Sequence, residues 1–219
     1  MKTKIDVVQP EGNYYDKYHS SNPIVKWMMA NFKKSIKELL EILEKEPTKI
    51  CETGCGEGEI TTYIKKCMPK AHIDAFDISE KVILNATEQH DNIDFFVGNI
   101  YTMEVIEPKQ RKKHILNTNE YDLVVCSEVL DLEEPENALK KINEITANKG
   151  YILLSVPNEP IWRICNMARG KYLKQLGNTP GHIQHWSKRA FCKMLTKNNM
   201  RIIGTKTPFP WTMVLITKR

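Results

Sequence analysis

At 219 residues the chain is long enough for one α/β domain with a proper core and too short for a second full domain. It has no run of about 18 apolar residues and opens on Met1-Lys2-Thr3-Lys4-Ile5-Asp6 without a hydrophobic signal region, which argues against a membrane-spanning or exported chain and for a cytoplasmic one. The net charge of +5 is unevenly spread: from Pro160 to Arg219 there are twelve Lys or Arg and no Asp or Glu, leaving 20 basic against 27 acidic residues before them. A basic final quarter suits an anionic substrate, a nucleic acid or an acidic membrane surface, and equally a solvated lysine-rich face. Six scattered cysteines are too few for a disulfide scaffold. Cys51 and Cys126 lie in apolar runs and read as reduced core thiols; Cys51-x-x-x-Cys55 lacks zinc-type partners, so no metal is expected.

Residues 1–12 carry little apolar content, and Asn13-Tyr14-Tyr15-Asp16-Lys17-Tyr18 then places three tyrosines in five positions, a cluster suited to a staple or lid. Asn22-Pro23 is a helix start. From there Ile24, Trp27, Met28, Phe32, Ile36, Leu39, Leu40 and Leu43 recur every three or four residues, which predicts one buried helical face running to about Glu46, before Pro47. A β-prone run, Thr48 to Glu52, enters three glycines at alternate positions, Gly54, Gly56 and Gly58, and a helix from Glu59 to Cys67 follows, stopped by Pro69. Ala71 to Asp77 reads as a second strand, Ser79 as the cap of a helix to about His90, and Ile93 to Gly98 as a third strand. Residues 104–119, with Pro108 and the basic run Lys109 to His114, interrupt this rhythm and read as a surface loop.

Tyr121 to Ser127 is a strand buried on both faces, Pro135 opens a helix with Ala138, Leu139, Ile142 and Ile145 on one face, Gly150 ends the connection, and Tyr151 to Pro157 is a fifth strand. The stretch 158–189 lacks such regularity and is the expected substrate region. Within it Glu159 to Leu176 reads as a largely helical basic lid or membrane-surface element. Ser187 caps a helix from Lys188 to Lys197, and two last strands, Arg201 to Lys206 and Trp211 to Thr217, complete the chain.

The glycine turn carries most of the chemistry. Its glycines let the backbone reach unusual dihedrals and let a ligand lie against the main chain. The spacing is GxGxG and not the GxGxxG that cradles a pyrophosphate, and Glu52, two residues before the first glycine, would repel phosphate and suit a cation. Asp77 stands 25 positions beyond Glu52 (77 − 52) at the tip of the second strand, placed to accept both hydroxyls of an adenosine ribose.

Glu52-Thr53-Gly54-Cys55-Gly56-Glu57-Gly58 resembles the nucleotide-binding loop of the class I S-adenosylmethionine-dependent methyltransferases, [D/E]-x-G-x-G-x-G at the end of the first strand. Asp122 to Leu130 is similar to the family's fourth-strand pattern, but the usual Glu-His-Leu continuation is Glu128-Val129-Leu130, without the histidine. Gly98-Asn99-Ile100 stands where the family often has Gly-Asp-Ile, and His182 to Ser187 is similar to the His-x-x-x-[FWY]-[ST] segment of many small-molecule, type 11-like members. The likeness covers roughly residues 46–217.

It implies a Rossmann-like α/β fold: a doubly wound, seven-stranded, mainly parallel sheet with a C-terminal antiparallel strand, in three α/β/α layers. Residues 1–46 would be an N-terminal lid segment and a helix covering the cofactor end. Residues 47–219 would be the methyltransferase domain, with a substrate-region insertion at about 158–187.

The implied cofactor is S-adenosylmethionine, leaving as S-adenosylhomocysteine. Glu52 and the turn Gly54-Cys55-Gly56 would serve its methionine end and Asp77 the ribose. Ile78 would lie on the adenine face, Asn99 and Ile100 at the adenine edge, Ser127 and Glu128 near the sulfur, and Tyr14 and Tyr18 over the methionyl end. His185 and His182 are the candidate bases, and Asn158, Trp162, Arg163 and Trp186 the candidate acceptor lining. The expected partner is a small-molecule acceptor, anionic or lipid-like to suit the basic tail. RNA methylation, a nicotinamide-dependent dehydrogenase and a non-catalytic binding subunit are the alternatives. The acceptor atom and the oligomeric state stay open.

Overall fold

A computed structural model describes residues 17–130, 133–168, 170 and 184–218. The chain runs α1 (Pro23–Leu40), β1 (Lys49–Thr53), α2 (Glu59–Cys67), β2 (His72–Asp77), α3 (Glu80–Gln89), β3 (Asp94–Asn99), β4 (Glu104–Ile106), β5 (Lys113–Ile115), β6 (Tyr121–Ser127), α4 (Pro135–Ile145), β7 (Thr146–Pro157), α5 (Glu159–Ala168), α6 (Lys188–Lys197), β8 (Met200–Lys206) and β9 (Trp211–Lys218). All strands join one nine-stranded sheet in the order β5-β4-β3-β2-β1-β6-β7-β9-β8. Strands β3, β2, β1, β6 and β7 are parallel, and β9 inserts antiparallel between β7 and β8.

The seven expected strands are present, and the count is corrected to nine by a hairpin. Residues 104–119, read as a loop, form β4 and β5, which pair antiparallel with each other, β4 also pairing antiparallel with β3. Each is three residues long, too short to show a period. What pins them is the burial of Met103, Val105 and Leu116 against the sheet. Among the described elements no helix lies between β3 and β6, so this hairpin makes the crossover.

The alternation of the strands builds the layers. Ile50, Ile73, Leu123, Val125, Leu153 and Leu215 point to one face, where Phe32, Ile36 and Leu39 of α1 and Ile60 and Ile64 of α2 cover them. On the same side, two residues beyond Ile73, Ala75 packs with Val82, Ile83 and Ala86 of α3. Cys51, Val124, Cys126, Ile152 and Leu154 point the other way, against Ala138, Leu139 and Ile142 of α4 and Phe191 and Leu195 of α6. Cys51 and Cys126 are fully buried, as expected of core thiols.

Helix α1 starts as expected, with the Asn22 Oδ1 accepting from the Ile24 N–H at 2.9 Å. It ends at Leu40 instead of near Glu46, because the Ile42 and Leu43 N–H groups tighten onto the Leu39 and Leu40 carbonyls, three residues back. Phe32 stands edge-on to Trp211 at 4.9 Å, but Trp27 and Ile24, expected on the buried face, are 57% and 66% exposed, full burial of the helix beginning only at Met29. Ser79 occupies the N-cap of α3 without bonding through its side chain; its own N–H donates instead to Asp77 Oδ1 at 2.9 Å. Gly150 lies inside β7, and the helix expected through Leu176 is described as far as Ala168.

Candidate functional site

The carboxyl ends of β1, β2, β3, β6 and β7 lie along one edge of the sheet, where ligands of open α/β sheets bind. At the end of β1 the chain turns through Gly54, Gly56 and Gly58, with φ of 70°, 54° and 82°. The Gly54 and Cys55 N–H groups donate to the Phe76 carbonyl at 2.7 and 3.1 Å, so the turn is docked on the end of β2. A Cβ on Gly54 would stand 2.3 Å from Val129 Cγ2, and its φ disfavours any side chain. Gly54→Ala is therefore expected to destabilise the protein by about 1–3 kcal/mol or more in thermal or denaturant unfolding. Unchanged stability would show that the turn does not hold this conformation.

Glu52 is 1% exposed and accepts a hydrogen bond from the Thr61 hydroxyl in the first turn of α2. Burial pushes its carboxyl up from 4.5 to about 8, against the lowering effect of that hydrogen bond and helped by the charge of Asp77. Asp77 accepts from the Gly56 N–H at 3.0 Å and from the Ser79 N–H at 2.9 Å. Its pKa is also raised, by burial first, with these N–H bonds pulling it down.

Tyr18 is half-buried, and its phenol is raised by burial and then by the charges of Glu128, Glu52 and Glu59. Three carboxylates thus act on a single hydroxyl beside the glycine turn.

Asn99 ends β3, and its Oδ1 already accepts from the Tyr101 N–H at 2.8 Å. Its second lone pair and its NH2 group are the atoms left for an adenine edge. Ile78 and Ile100 are half-buried beside Asp77 and Asn99. Ser127 ends β6, and Glu128 follows at φ 60°, its N–H donating to the Ser155 carbonyl at 2.9 Å. A left-handed non-glycine residue at a strand tip stores strain where side chains must be aimed. Glu128 is aimed at Lys17, with which it forms a close ion pair.

The end of β7 leads to Asn158, whose N–H donates to the Pro210 carbonyl at 2.9 Å, and to α5, which carries Trp162 and Arg163. Trp186 packs tilted against Phe191, with ring centroids 5.6 Å apart, and donates its indole N–H to the Leu130 carbonyl at 2.8 Å, so it anchors the segment carrying His185. His185 Nδ1 lies 3.4 Å from Glu159 Oε1. Tyr14 and His182 lie outside the described residues.

Lys17, Thr61 and Glu159 join the site without having been singled out in the sequence. Thr61 carries a weak local signal, a hydroxyl on the inner face of a helix that starts at the glycine turn. Lys17 and Glu128 are 111 positions apart and carry none.

Residues 25–204 match a family model described as Methyltransferase domain. The chain belongs to the methyltransferase domain family, and its sheet order and glycine turn place it in class I of the S-adenosylmethionine-dependent enzymes. Among curated relatives, the malonyl-[acyl-carrier protein] O-methyltransferase of Halalkalibacterium halodurans is 26% identical over 142 residues, 63% of this chain and 49% of the relative. That of Hahella chejuensis is 35% identical over 68 residues, 30% of this chain and 24% of the relative. The chain thus spans about half the length or less of these two relatives.

Among solved structures, magnesium protoporphyrin IX methyltransferase from Synechocystis PCC 6803, with bound S-adenosylhomocysteine, superposes with a TM-score of 0.65 at 18% identity, covering 94% of this chain and 90% of its own. The plantazolicin methyltransferase BpumL, also with bound S-adenosylhomocysteine, gives 0.64 at 17% identity, with coverages of 91% and 92%. Among the described residues no helix is long and apolar enough to cross a membrane.

Proposed function

We propose that the chain transfers the methyl group of S-adenosylmethionine to a small-molecule acceptor in the cytoplasm. The observation that carries this reading is the pair of acidic strand tips flanking the glycine turn, Glu52 buried on β1 and Asp77 on β2. The residues fit the cofactor's chemistry. Glu52 offers a desolvated carboxylate to an ammonium, and Asp77 offers lone pairs to two vicinal hydroxyls. Gly54 and Gly56 leave the backbone bare, and Asn99 and Ile100 sit one strand further out for the adenine. When bound, the cofactor supplies an electrophilic methyl group on a sulfonium. The protein's part is to position, to exclude water and, where the acceptor carries a proton, to remove it.

Tyr18 and the Lys17–Glu128 pair close the methionyl side of the site. Residues 1–46 act as the covering segment and 158–187 as the acceptor-facing one, with Asn158, Trp162, Arg163 and Trp186 beside the acceptor and His185 and His182 as bases. The curated relatives are named for O-methylation of a malonyl group on a carrier protein, which supports oxygen as the accepting atom here. The basic final quarter supports an anionic or lipid-like acceptor.

Calorimetry of the free chain tests the reading: S-adenosylhomocysteine should bind at about micromolar concentration and NAD+ should not bind. Tight NAD+ binding would contradict it. A binding constant for single-stranded RNA that falls steeply with salt would move the acceptor to nucleic acid.

A further inference from the structure

Glu159 lies two residues beyond the carboxyl end of β7, in the first turn of α5, on the same sheet edge as Glu52, Asp77 and Ser127. It is 4% exposed, and among the described residues neither of its carboxylate oxygens has a hydrogen-bond partner. A buried carboxylate without partners is costly, and such groups recur where a functional neighbour needs them. Here the neighbour is His185, with Nδ1 at 3.4 Å from Oε1, within ion-pair reach though not in hydrogen-bond geometry.

The two segments are tied at the backbone, because the Glu159 N–H donates to the carbonyl of Trp186, the residue after His185, at 2.9 Å. The Trp186 indole is in turn fastened to Leu130 in the loop after β6. The His185 side chain is about one-third exposed, at 36%, so the ring meets the buried carboxylate through Nδ1 and is still partly open to solvent.

A carboxylate can only accept. It therefore selects the ring form with the proton on Nδ1 and leaves the lone pair on Nε2, at the far end of the ring. We propose that Glu159 is a positioning residue that holds His185 in its Nδ1–H form, so that Nε2 takes the proton of a hydroxyl acceptor.

This rests on the methyltransferase reading and narrows its substrate class. In the step, the acceptor's O–H bond breaks and its proton moves to Nε2. An oxygen lone pair forms the new O–CH3 bond, and the C–S bond pair returns to sulfur, leaving a neutral thioether, an ether and an imidazolium. A carboxylate acceptor such as a malonyl group brings no proton and needs no such pair.

The test is the ring tautomer of His185, read by long-range proton–nitrogen correlation on the full chain labelled with nitrogen-15 histidine, at a pH where the ring is neutral. Wild type is expected to show Nδ1–H. Glu159→Gln, which keeps an acceptor oxygen, should retain it, and Glu159→Leu should revert to the Nε2–H form that free imidazole prefers. S-adenosylhomocysteine affinity should stay within about threefold in both variants, a shift of less than about 0.7 kcal/mol.

An Nε2–H ring in wild type, or an unchanged tautomer in Glu159→Leu, would overturn the proposal, and the wild-type result decides even where the Leu variant does not fold. Conversion of malonyl-N-acetylcysteamine to a base-labile methyl ester by wild type would overturn the hydroxyl assignment, whereas no conversion is expected. Failure of wild type to bind S-adenosylhomocysteine would instead bring down the methyltransferase reading and leave the tautomer result standing.

Discussion

Asp77→Ala is expected to weaken S-adenosylhomocysteine binding about a hundredfold. A hydroxyl bonded to a charged acceptor contributes roughly 1.5–3 kcal/mol, and two ribose hydroxyls compete for this one carboxylate, so a net loss of about 3 kcal/mol is reasonable. Part of that loss arises within the protein, because Asp77 also accepts from the Gly56 and Ser79 N–H groups and so shapes the turn on which the cofactor lies. Asp77→Asn separates the two contributions. It keeps one acceptor oxygen and loses the charge, and should cost about tenfold. Both variants should remain folded, since burial already opposes the charge of Asp77 in the free protein. Calorimetry reads the affinities, and Asp77→Ala binding within threefold of wild type would remove the ribose from this residue.

Glu52 should make both stability and cofactor affinity depend on pH, in opposite directions. In the folded free protein its carboxyl holds its proton up to about 8, whereas in the unfolded chain it releases it near 4.5. Between those values the unfolded state binds fewer protons, so stability falls as pH rises, by up to about 1.4 kcal/mol per unit, and levels off above about 8. Recognition of an ammonium needs the ionised carboxylate. Affinity for S-adenosylhomocysteine should therefore rise with pH, by up to about tenfold per unit, and flatten near 8. Glu52→Gln should abolish both slopes, raise the melting temperature of the free protein at pH 8 and weaken binding there. The readout is the difference between wild type and variant, which cancels the other titrating groups. Equal slopes in the two proteins would show that Glu52 neither carries the buried charge nor meets the ammonium.

Much of the architecture was legible because the strands and helices that bury the most surface repeat most clearly. The α4 face of Ala138, Leu139, Ile142 and Ile145 and the run Leu123 to Cys126 state their periods in sequence, and each is buried as its period requires. The hairpin of β4 and β5 was not legible. Three-residue strands have no period, β5 is exposed throughout, and its polar side chains Lys113 and His114 look like those of any loop. Trp27 and Ile24 continue the stripe of α1 beyond the sheet that would cover them, and the stripe itself cannot say where the sheet stops.

At the site, the residues at strand tips could be placed because a parallel sheet puts all its carboxyl ends on one edge. Glu52, Asp77, Asn99 and Ser127 needed only the strand assignments. Lys17 and Glu159 needed three-dimensional neighbours, Glu128 and His185, that no local spacing announces. Asn99 shows the middle case: its position was readable, but the capture of its amide oxygen by Tyr101 was not.

The most direct test is a crystal structure of the chain with S-adenosylhomocysteine. The expected density has both ribose hydroxyls at about 3 Å from Asp77 and the methionyl ammonium on the Glu52 side of the glycine turn, directly or through one water. A ribose on another strand tip, or a ligand whose carboxylate rather than its ammonium faces Glu52, would contradict the electrostatic logic from which every other assignment here descends.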